Sequence, residues 1–166
     1  MKGRIFGTIA VLAAAALVSA ATPRASSTTA CRTAGLVVWL NTQAGHTAGS
    51  TYYRLELTNL SAATCTLRGF PGASAVDLAG HRPGSPAARD RTHPAATIAL
   101  APGRTASSVL QLVDANNFSS STCAPRRAAG LRVYPPDQTK AKLVPFPLLA
   151  CSRAGPVYLR VRAVVR

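Results

Sequence analysis

The sequence has few carboxylates, and this scarcity limits the chemistry that the protein can perform. Its 166 residues include five Asp and Glu against 19 Lys and Arg. The acidic residues are Glu56, Asp77, Asp90, Asp114 and Asp137. Among them only Asp77 and Asp90 are near each other along the chain, so a hydrolase with paired carboxylates lacks candidate residues.

Histidine is scarce as well, and motifs of other catalytic classes are missing. The three histidines are His46, His81 and His93. His81 and His93 flank Asp90 in an Arg- and Pro-rich stretch, where a His–Asp pair could orient a base, but solvated loop histidines are the more common case. The sequence contains no G-x-S-x-G and no H-E-x-x-H motif. We therefore expect no enzyme, no cofactor and no metal site.

Long apolar runs are absent beyond the N-terminus. Lys2 and Arg4 precede an uncharged, mostly apolar run at residues 5–18, and small residues follow around Ala20. This pattern predicts a secretory signal peptide over residues 1–20, since a membrane span needs about 20 apolar residues. Residues 21–30 predict a flexible leader and residues 31–166 a single domain. We expect a mature chain without a transmembrane span, secreted or associated with the cell wall.

Positive charge is the strongest compositional signal. The net charge is +14 at pH 7, and removal of Lys2 and Arg4 with the signal peptide leaves +12. Such charge favours anionic partners, which outside the cell are anionic cell-wall polymers or acidic lipid surfaces; no nucleic acid is expected. The chain is also rich in Ala, Gly and Pro, so a biased genomic composition is an alternative explanation of the charge.

Short segments with the alternation of β-strands fill the rest of the chain. In residues 50–59, Leu55 and Leu57 lie on one face and Arg54 and Glu56 on the other, which is typical of a half-buried strand. Residues 157–165 alternate in the same way. About nine such segments predict an all-β fold, an immunoglobulin-like two-sheet β-sandwich with two disulfides, with a closed barrel as the alternative.

Pairs of Pro and Gly separate several of these segments. Pro71-Gly72 suits the two central positions of a type II turn, and Pro102-Gly103 predicts a hairpin. Residues 80–94 and 114–129 show no periodicity and predict long loops.

Four cysteines follow the predicted signal peptide, in a compartment that favours disulfides. They are Cys31, Cys65, Cys123 and Cys151. Their spacing does not match a zinc knuckle, and secreted thiols oxidise, so disulfides are favoured over a metal site. Their order suggests Cys31–Cys65 and Cys123–Cys151, which is one of three possible connectivities.

The last quarter of the chain carries basic residues at alternate strand positions. Arg132, Arg160 and Arg162 alternate with apolar neighbours, and Lys140 and Lys142 lie between them along the chain. If the last strands are neighbours in one sheet, these five side chains form a single basic face that attracts teichoic-acid-like polymers or acidic lipids. A solvated face without a specific ligand is the competing interpretation.

A dibasic pair suggests a different function. Arg126 and Arg127 closely follow Cys123 in the predicted loop. A stiff loop tethered by a disulfide and presenting a basic side chain resembles the reactive loop of small secreted protease inhibitors, because stiffness lowers the entropy cost of binding.

Several motifs resemble those of a known family. They are Tyr-Tyr at 52–53 leading to Leu-Thr-Asn at 57–59, Cys-Thr-Leu-Arg-Gly-Phe-Pro-Gly at 65–72, Leu-Ala-Pro-Gly at 100–103, Val-Tyr-Pro-Pro at 133–136, and Cys151. From Cys31 to the C-terminus the chain resembles domain of unknown function 4232, found mostly in secreted and surface proteins of actinobacteria. The resemblance implies one extracellular β-domain and brings no activity and no catalytic residues.

These features together predict a secreted, non-catalytic binding or structural module of the cell envelope or extracellular space. Binding of anionic polymers through the basic face is the expected activity, and protease inhibition through Arg126 or Arg127 is the alternative. Trp39 and the four tyrosines add the hypothesis of a carbohydrate-stacking platform, although core or half-buried strand positions are more common for such residues.

Overall fold

Ten strands make up most of the described chain. The computed structural model describes Gly3 and residues 28–166, so the predicted signal peptide and most of the predicted leader lie outside the described residues. The strands are β1 (Leu36–Thr47), β2 (Ser50–Asn59), β3 (Cys65–Arg68), β4 (Gly72–Val76), β5 (Ala88–Asp90), β6 (Thr97–Leu100), β7 (Thr105–Val113), β8 (Pro125–Tyr134), β9 (Lys142–Cys151) and β10 (Leu159–Arg162). No helix in this part of the chain is long and apolar enough to cross a membrane.

The strands form three sheets packed in a sandwich-like arrangement, which confirms the predicted all-β sandwich class. β1, β2, β7, β10 and β5 form, in this order, a five-stranded sheet. β4, β8 and β9 form a three-stranded sheet, and β3 pairs with β6. Among the named strands the pairing of β10 with β5 is parallel and the others are antiparallel.

One hydrophobic core joins the inner faces of the sheets. Leu55 and Leu57 of β2, Leu110 of β7, and Leu131 and Val133 of β8 belong to it, and each is at most 1% exposed. Alternation with period two lets these strands bury one face while the other meets solvent. A buried leucine of this kind contributes about 2–5 kcal/mol to stability relative to Ala.

Both predicted disulfides are present. Cys31 joins Cys65, with Cα atoms 4.9 Å apart, and ties the segment before β1 to the start of β3. Cys123 joins Cys151, with Cα atoms 4.5 Å apart, and ties the helical turn before β8 to the end of β9. The chain-entropy model gives each loop closure about 3–4 kcal/mol of stability.

Pro71-Gly72 was predicted to form a type II turn and Pro102-Gly103 a hairpin, and the structure corrects both predictions. Gly72 is the first residue of β4, and the positive φ that a type II turn requires is found instead at Gly69, where φ is +100°. Gly103, with φ of +71°, does lie in a turn, but its flanking strands β6 and β7 pair with β3 and β2 and do not form a hairpin. Turn residues indicate where the chain reverses without indicating which strand will be its neighbour.

Two segments predicted as loops contain strands. β5 lies within residues 80–94, and β8 begins at Pro125, inside residues 114–129. β5 has three residues, which is too short to show alternation. The start of β8 consists of Pro, Arg and Ala, which have low strand propensity, so pairing with β9 decides its conformation.

Candidate functional site

The predicted single basic face is not formed, because its residues are divided between two sheets. Arg160 and Arg162 belong to β10 in the five-stranded sheet, whereas Arg132 and Lys142 belong to β8 and β9 in the three-stranded sheet. Lys140 lies in the connection before β9. The prediction required the last strands to be neighbours in one sheet, and β10 instead pairs with β7 and β5.

Strand register separates the basic residues further within the three-stranded sheet. Arg132 lies opposite Leu143, and Lys142 lies opposite Val133. Opposed residues of an antiparallel pair share a face. Lys142 therefore lies on the same face as the buried Val133, and its own side chain is half-buried at the start of β9. Arg132 lies on the opposite face, with Leu143, which is 65% exposed.

The outer face of the five-stranded sheet carries the other two arginines. Arg162 Nε lies 2.9 Å from Asp90 Oδ2, whereas Arg160 is exposed to solvent. Hydrogen bonds from Thr92, with a further contribution from Arg162, lower the pKa of Asp90 to about 2. This carboxylate therefore stays ionised at neutral pH and compensates the charge of Arg162.

The aromatic residues do not gather into one platform. Trp39 lies on the outer face of β1, is 42% exposed, and donates a hydrogen bond of 3.3 Å from Nε1 to Thr58 Oγ1. Tyr53 packs edge-on against Phe146, with ring centroids 4.9 Å apart, and Tyr158 is fully buried. Trp39 is thus an exposed aromatic side chain, while these tyrosines contribute to the interior.

Arg126 and Arg127 are exposed, but they lie in a strand and not in the predicted loop. In β8, Arg126 lies opposite Ala150 and Arg127 opposite Leu149. The reactive loop of an inhibitor must stand away from its scaffold to enter a protease cleft. The inhibitor hypothesis assumed an exposed loop at these arginines, and the structure has a strand there instead.

A cleft that no pattern in the sequence predicts brings two arginines together. It has a volume of about 370 Å³ and lies beside β4, β8 and the connection after β4. Arg132 lines it from β8 and Arg82 from the connection, and Ser74 and Tyr134 contribute hydroxyl groups. No carboxylate is among its lining residues. The two arginines are far apart along the chain, and no periodicity surrounds Arg82, so no sequence signal groups them.

His81, one of the two histidines predicted to lie near Asp90, has a different partner. His81 Nδ1 lies 3.4 Å from Asp77 Oδ2, and the N–H of His81 donates a hydrogen bond of 2.7 Å to Asp77 Oδ1. The backbone hydrogen bond from His81 is the main cause that lowers the pKa of Asp77. In the part of the chain that the structure describes, no group of three or more His, Cys, Asp or Glu is arranged to hold a metal ion.

Nearly the whole described chain matches one family model. Comparison of the sequence with curated proteins and with solved structures gives no match. The model described as "Domain of unknown function (DUF4232)" matches residues 31–165, a range that includes all ten strands, both disulfides and the cleft. The chain therefore belongs to the DUF4232 family.

Proposed function

We propose that the chain is a non-catalytic extracellular module that binds an anionic polymer of the cell envelope. The observation that carries this proposal is an excess of basic side chains that form no salt bridge with a carboxylate. Residues 28–166 contain 16 Lys and Arg but five Asp and Glu. Arg54 lies 3.2 Å from Glu56 and Arg162 lies 2.9 Å from Asp90, and the other fourteen cations of this range form no salt bridge with a carboxylate of the described residues.

This charge is distributed over the whole molecule. Arg160 lies on the outer face of the five-stranded sheet, Arg68 lies on β3, and Arg126 and Arg127 lie on β8; all four are exposed. A flexible polymer with repeated negative charges can follow such a surface, whereas a rigid partner with one acidic patch can engage just one part of it. The distribution therefore favours a polymer.

The cysteines support an extracellular location. The described residues contain two disulfides and no free cysteine. Disulfides persist in oxidising compartments outside the cytoplasm, and the predicted signal peptide would deliver the chain there. Envelope polymers that carry phosphate or carboxylate groups are the abundant polyanions of that environment.

Retention of the mature chain on isolated cell walls tests the proposal. We expect retention at about 0.05 M NaCl and release at about 0.5 M, because the screening length falls from about 14 Å to about 4 Å. Walls stripped chemically of their anionic polymer should retain little protein. Equal retention on intact and stripped walls would overturn the proposal.

Variants at two distant places test the distribution of the binding surface. Arg126→Glu with Arg127→Glu and, separately, Arg68→Glu with Arg160→Glu each change the net charge by the same amount. Both variants should elute from intact walls at lower salt than the wild type, to a similar extent. Arg126→Lys with Arg127→Lys keeps the charge and should elute with the wild type. An effect confined to one pair would contradict a distributed surface.

A further inference from the structure

We infer that the cleft beside the paired strands β4 and β8, which Arg82 and Arg132 line, binds a phosphate group. This inference deepens the proposed function, on which it rests for the nature of the polymer, by assigning the anion and its site. The cleft brings the cations Arg82 and Arg132, the hydroxyl groups of Ser74 and Tyr134, and open space together in one concave place.

Strand register builds one wall of the cleft. Ser74 of β4 lies opposite Arg132 of β8, and Gly72 lies opposite Tyr134. Opposed residues share a face, so the side chains of Ser74, Arg132 and Tyr134 form a continuous strip. A Cβ at position 72 would lie 3.4 Å from Tyr134 Cβ and 3.5 Å from Tyr134 Cδ2. The glycine therefore leaves open the space beside the tyrosine ring.

Arg132 is held in position before any ligand arrives. Its Nη2 donates a hydrogen bond of 2.6 Å to the carbonyl of Gly80. The N–H of Gly80 in turn donates to the carbonyl of Asp77 at 3.1 Å, within the tight loop that His81 closes. A guanidinium has five N–H donors, and this arrangement fixes the group while leaving other donors for a ligand. Fixing a side chain in advance lowers the entropy cost of binding.

Arg82 adds a second positive charge to the same cleft. The nearest acid along the chain, Asp77, has its carboxylate engaged by His81. Burial raises the pKa of the Tyr158 hydroxyl to about 12, and the positive charge of Arg82 acts in the opposite direction. Two cations that share a cleft without a carboxylate repel each other, and an anion between them relieves the repulsion.

Phosphate is the anion that these groups fit. Guanidinium groups bind phosphate through two parallel hydrogen bonds, and the hydroxyls of Ser74 and Tyr134 can donate to its further oxygens. The volume of about 370 Å³ admits a phosphate with the units attached to it. A phosphodiester polymer can place one phosphate here while its neighbouring phosphates meet the basic residues elsewhere on the surface.

Titration of the mature chain with inorganic phosphate and with glycerol phosphate, followed by calorimetry and by NMR, tests the site. We expect amide shifts centred on Ser74 and Arg132, and at least about tenfold weaker binding in Arg132→Gln and in Arg82→Gln. Arg91→Gln and Arg153→Gln each remove the same charge at an exposed position outside the cleft and should bind like the wild type. Equal losses in the cleft variants and these controls, or shifts that avoid the cleft, would overturn the inference.

Two further variants keep the test valid if Arg132→Gln unfolds. Arg132→Lys keeps the charge but loses the planar fork, so it should weaken phosphate binding. Gly72→Ala changes no charge and places a methyl group in the cleft, so it should also weaken binding. Thermal unfolding identifies the folded variants, and wild-type affinity in both folded proteins would overturn the site.

The source of the phosphate is distinguished with two probes at equal phosphate concentration. We expect a poly(glycerol phosphate) chain to bind the wild type more tightly than it binds Arg132→Gln, and vesicles containing phosphatidylglycerol to show no such difference. A preference for vesicles would overturn the polymer assignment. Wall retention that stays unchanged in Arg132→Gln would overturn the site alone, whereas phosphate binding without wall retention would overturn the proposed function alone.

Discussion

Gly84 lies in the connection between β4 and β5, which also contains Arg82, and it holds this connection against the end of β9. Its φ is +62°, and its N–H donates a hydrogen bond of 3.2 Å to the carbonyl of Ser152. A Cβ at this position would collide with the carbonyl oxygen of Cys151, which belongs to the backbone and cannot move aside as a side chain would. The position therefore requires glycine for its backbone conformation and for its lack of a side chain.

We predict that Gly84→Ala lowers the free energy of unfolding by about 2–4 kcal/mol, since the collision adds to the strain of a positive φ. Gly103→Ala is the matched control, because φ there is +71° and a Cβ would have no heavy atom within 4 Å. The control should lose about 1 kcal/mol, from strain alone. Urea unfolding of the mature chain measures both values, and equal losses would argue against the collision.

At the scale of a single strand, sequence predicts which side chains face the core. Leu55 and Leu57 of β2 are 0% exposed and Arg54 is exposed, as alternation with period two requires. Glu56 departs from the pattern, since it is 6% exposed on the outer face and pairs with Arg54. Alternation predicts the face of the strand on which a residue lies. How deeply that face is buried depends on neighbouring strands, which the sequence of one segment does not identify.

The neighbours of a strand are harder to predict than its faces. β10 alternates as predicted, but the alternation predicted for residues 157–165 does not extend beyond it, since Tyr158 and Val164 are buried on what was predicted to be the outer face. Alternation is moreover expected of every half-buried strand and does not say which strand lies beside it. The pattern therefore groups Arg160 and Arg162 with Arg132, although the structure separates them by sheet. The cleft escaped prediction for the same reason, because the pairing of β4 with β8 creates it and Arg82 comes from a segment without periodicity.

The strand conformation of β8 predicts how trypsin will cut the folded chain. A protease needs an extended segment free of its neighbours, so a residue paired within a sheet is cut only after local opening. Arg126 and Arg127 are paired with β9, whereas Arg91 and Arg153 are exposed outside the strands. Within residues 31–166 we expect the earliest cuts after Arg91 or Arg153 in a limited digest followed by mass spectrometry.

The same digest tests whether the start of β8 can present a peptide bond to a protease, as the inhibitor hypothesis requires. First cuts after Arg126 or Arg127 would show that the start of β8 opens readily, contrary to its pairing with β9. The protein with both disulfides intact is the appropriate sample, because Cys123–Cys151 closes the chain immediately beside these arginines.

Across the whole molecule, charge acts on folding as well as on binding. The fourteen cations without a carboxylate partner lie on one compact domain, where they repel each other more strongly than in the expanded unfolded chain. The core and the two disulfides must offset this repulsion. The uncompensated positive charge, on which the proposed binding of a polyanion rests, therefore also lowers the stability of the domain.

We predict that NaCl has opposite effects on stability and on binding. Screening at about 0.5 M weakens repulsion between the cations, so the free energy of unfolding should rise by about 1 kcal/mol and the melting temperature by about 3–5 °C relative to about 0.05 M. Over the same range, wall retention should fall. Arg126→Glu with Arg127→Glu lowers the net charge, so its melting temperature should depend less on salt than that of the wild type. A melting temperature that falls with salt in the wild type would show that the described ion pairs, Arg54–Glu56 and Arg162–Asp90, outweigh the repulsion among the remaining cations.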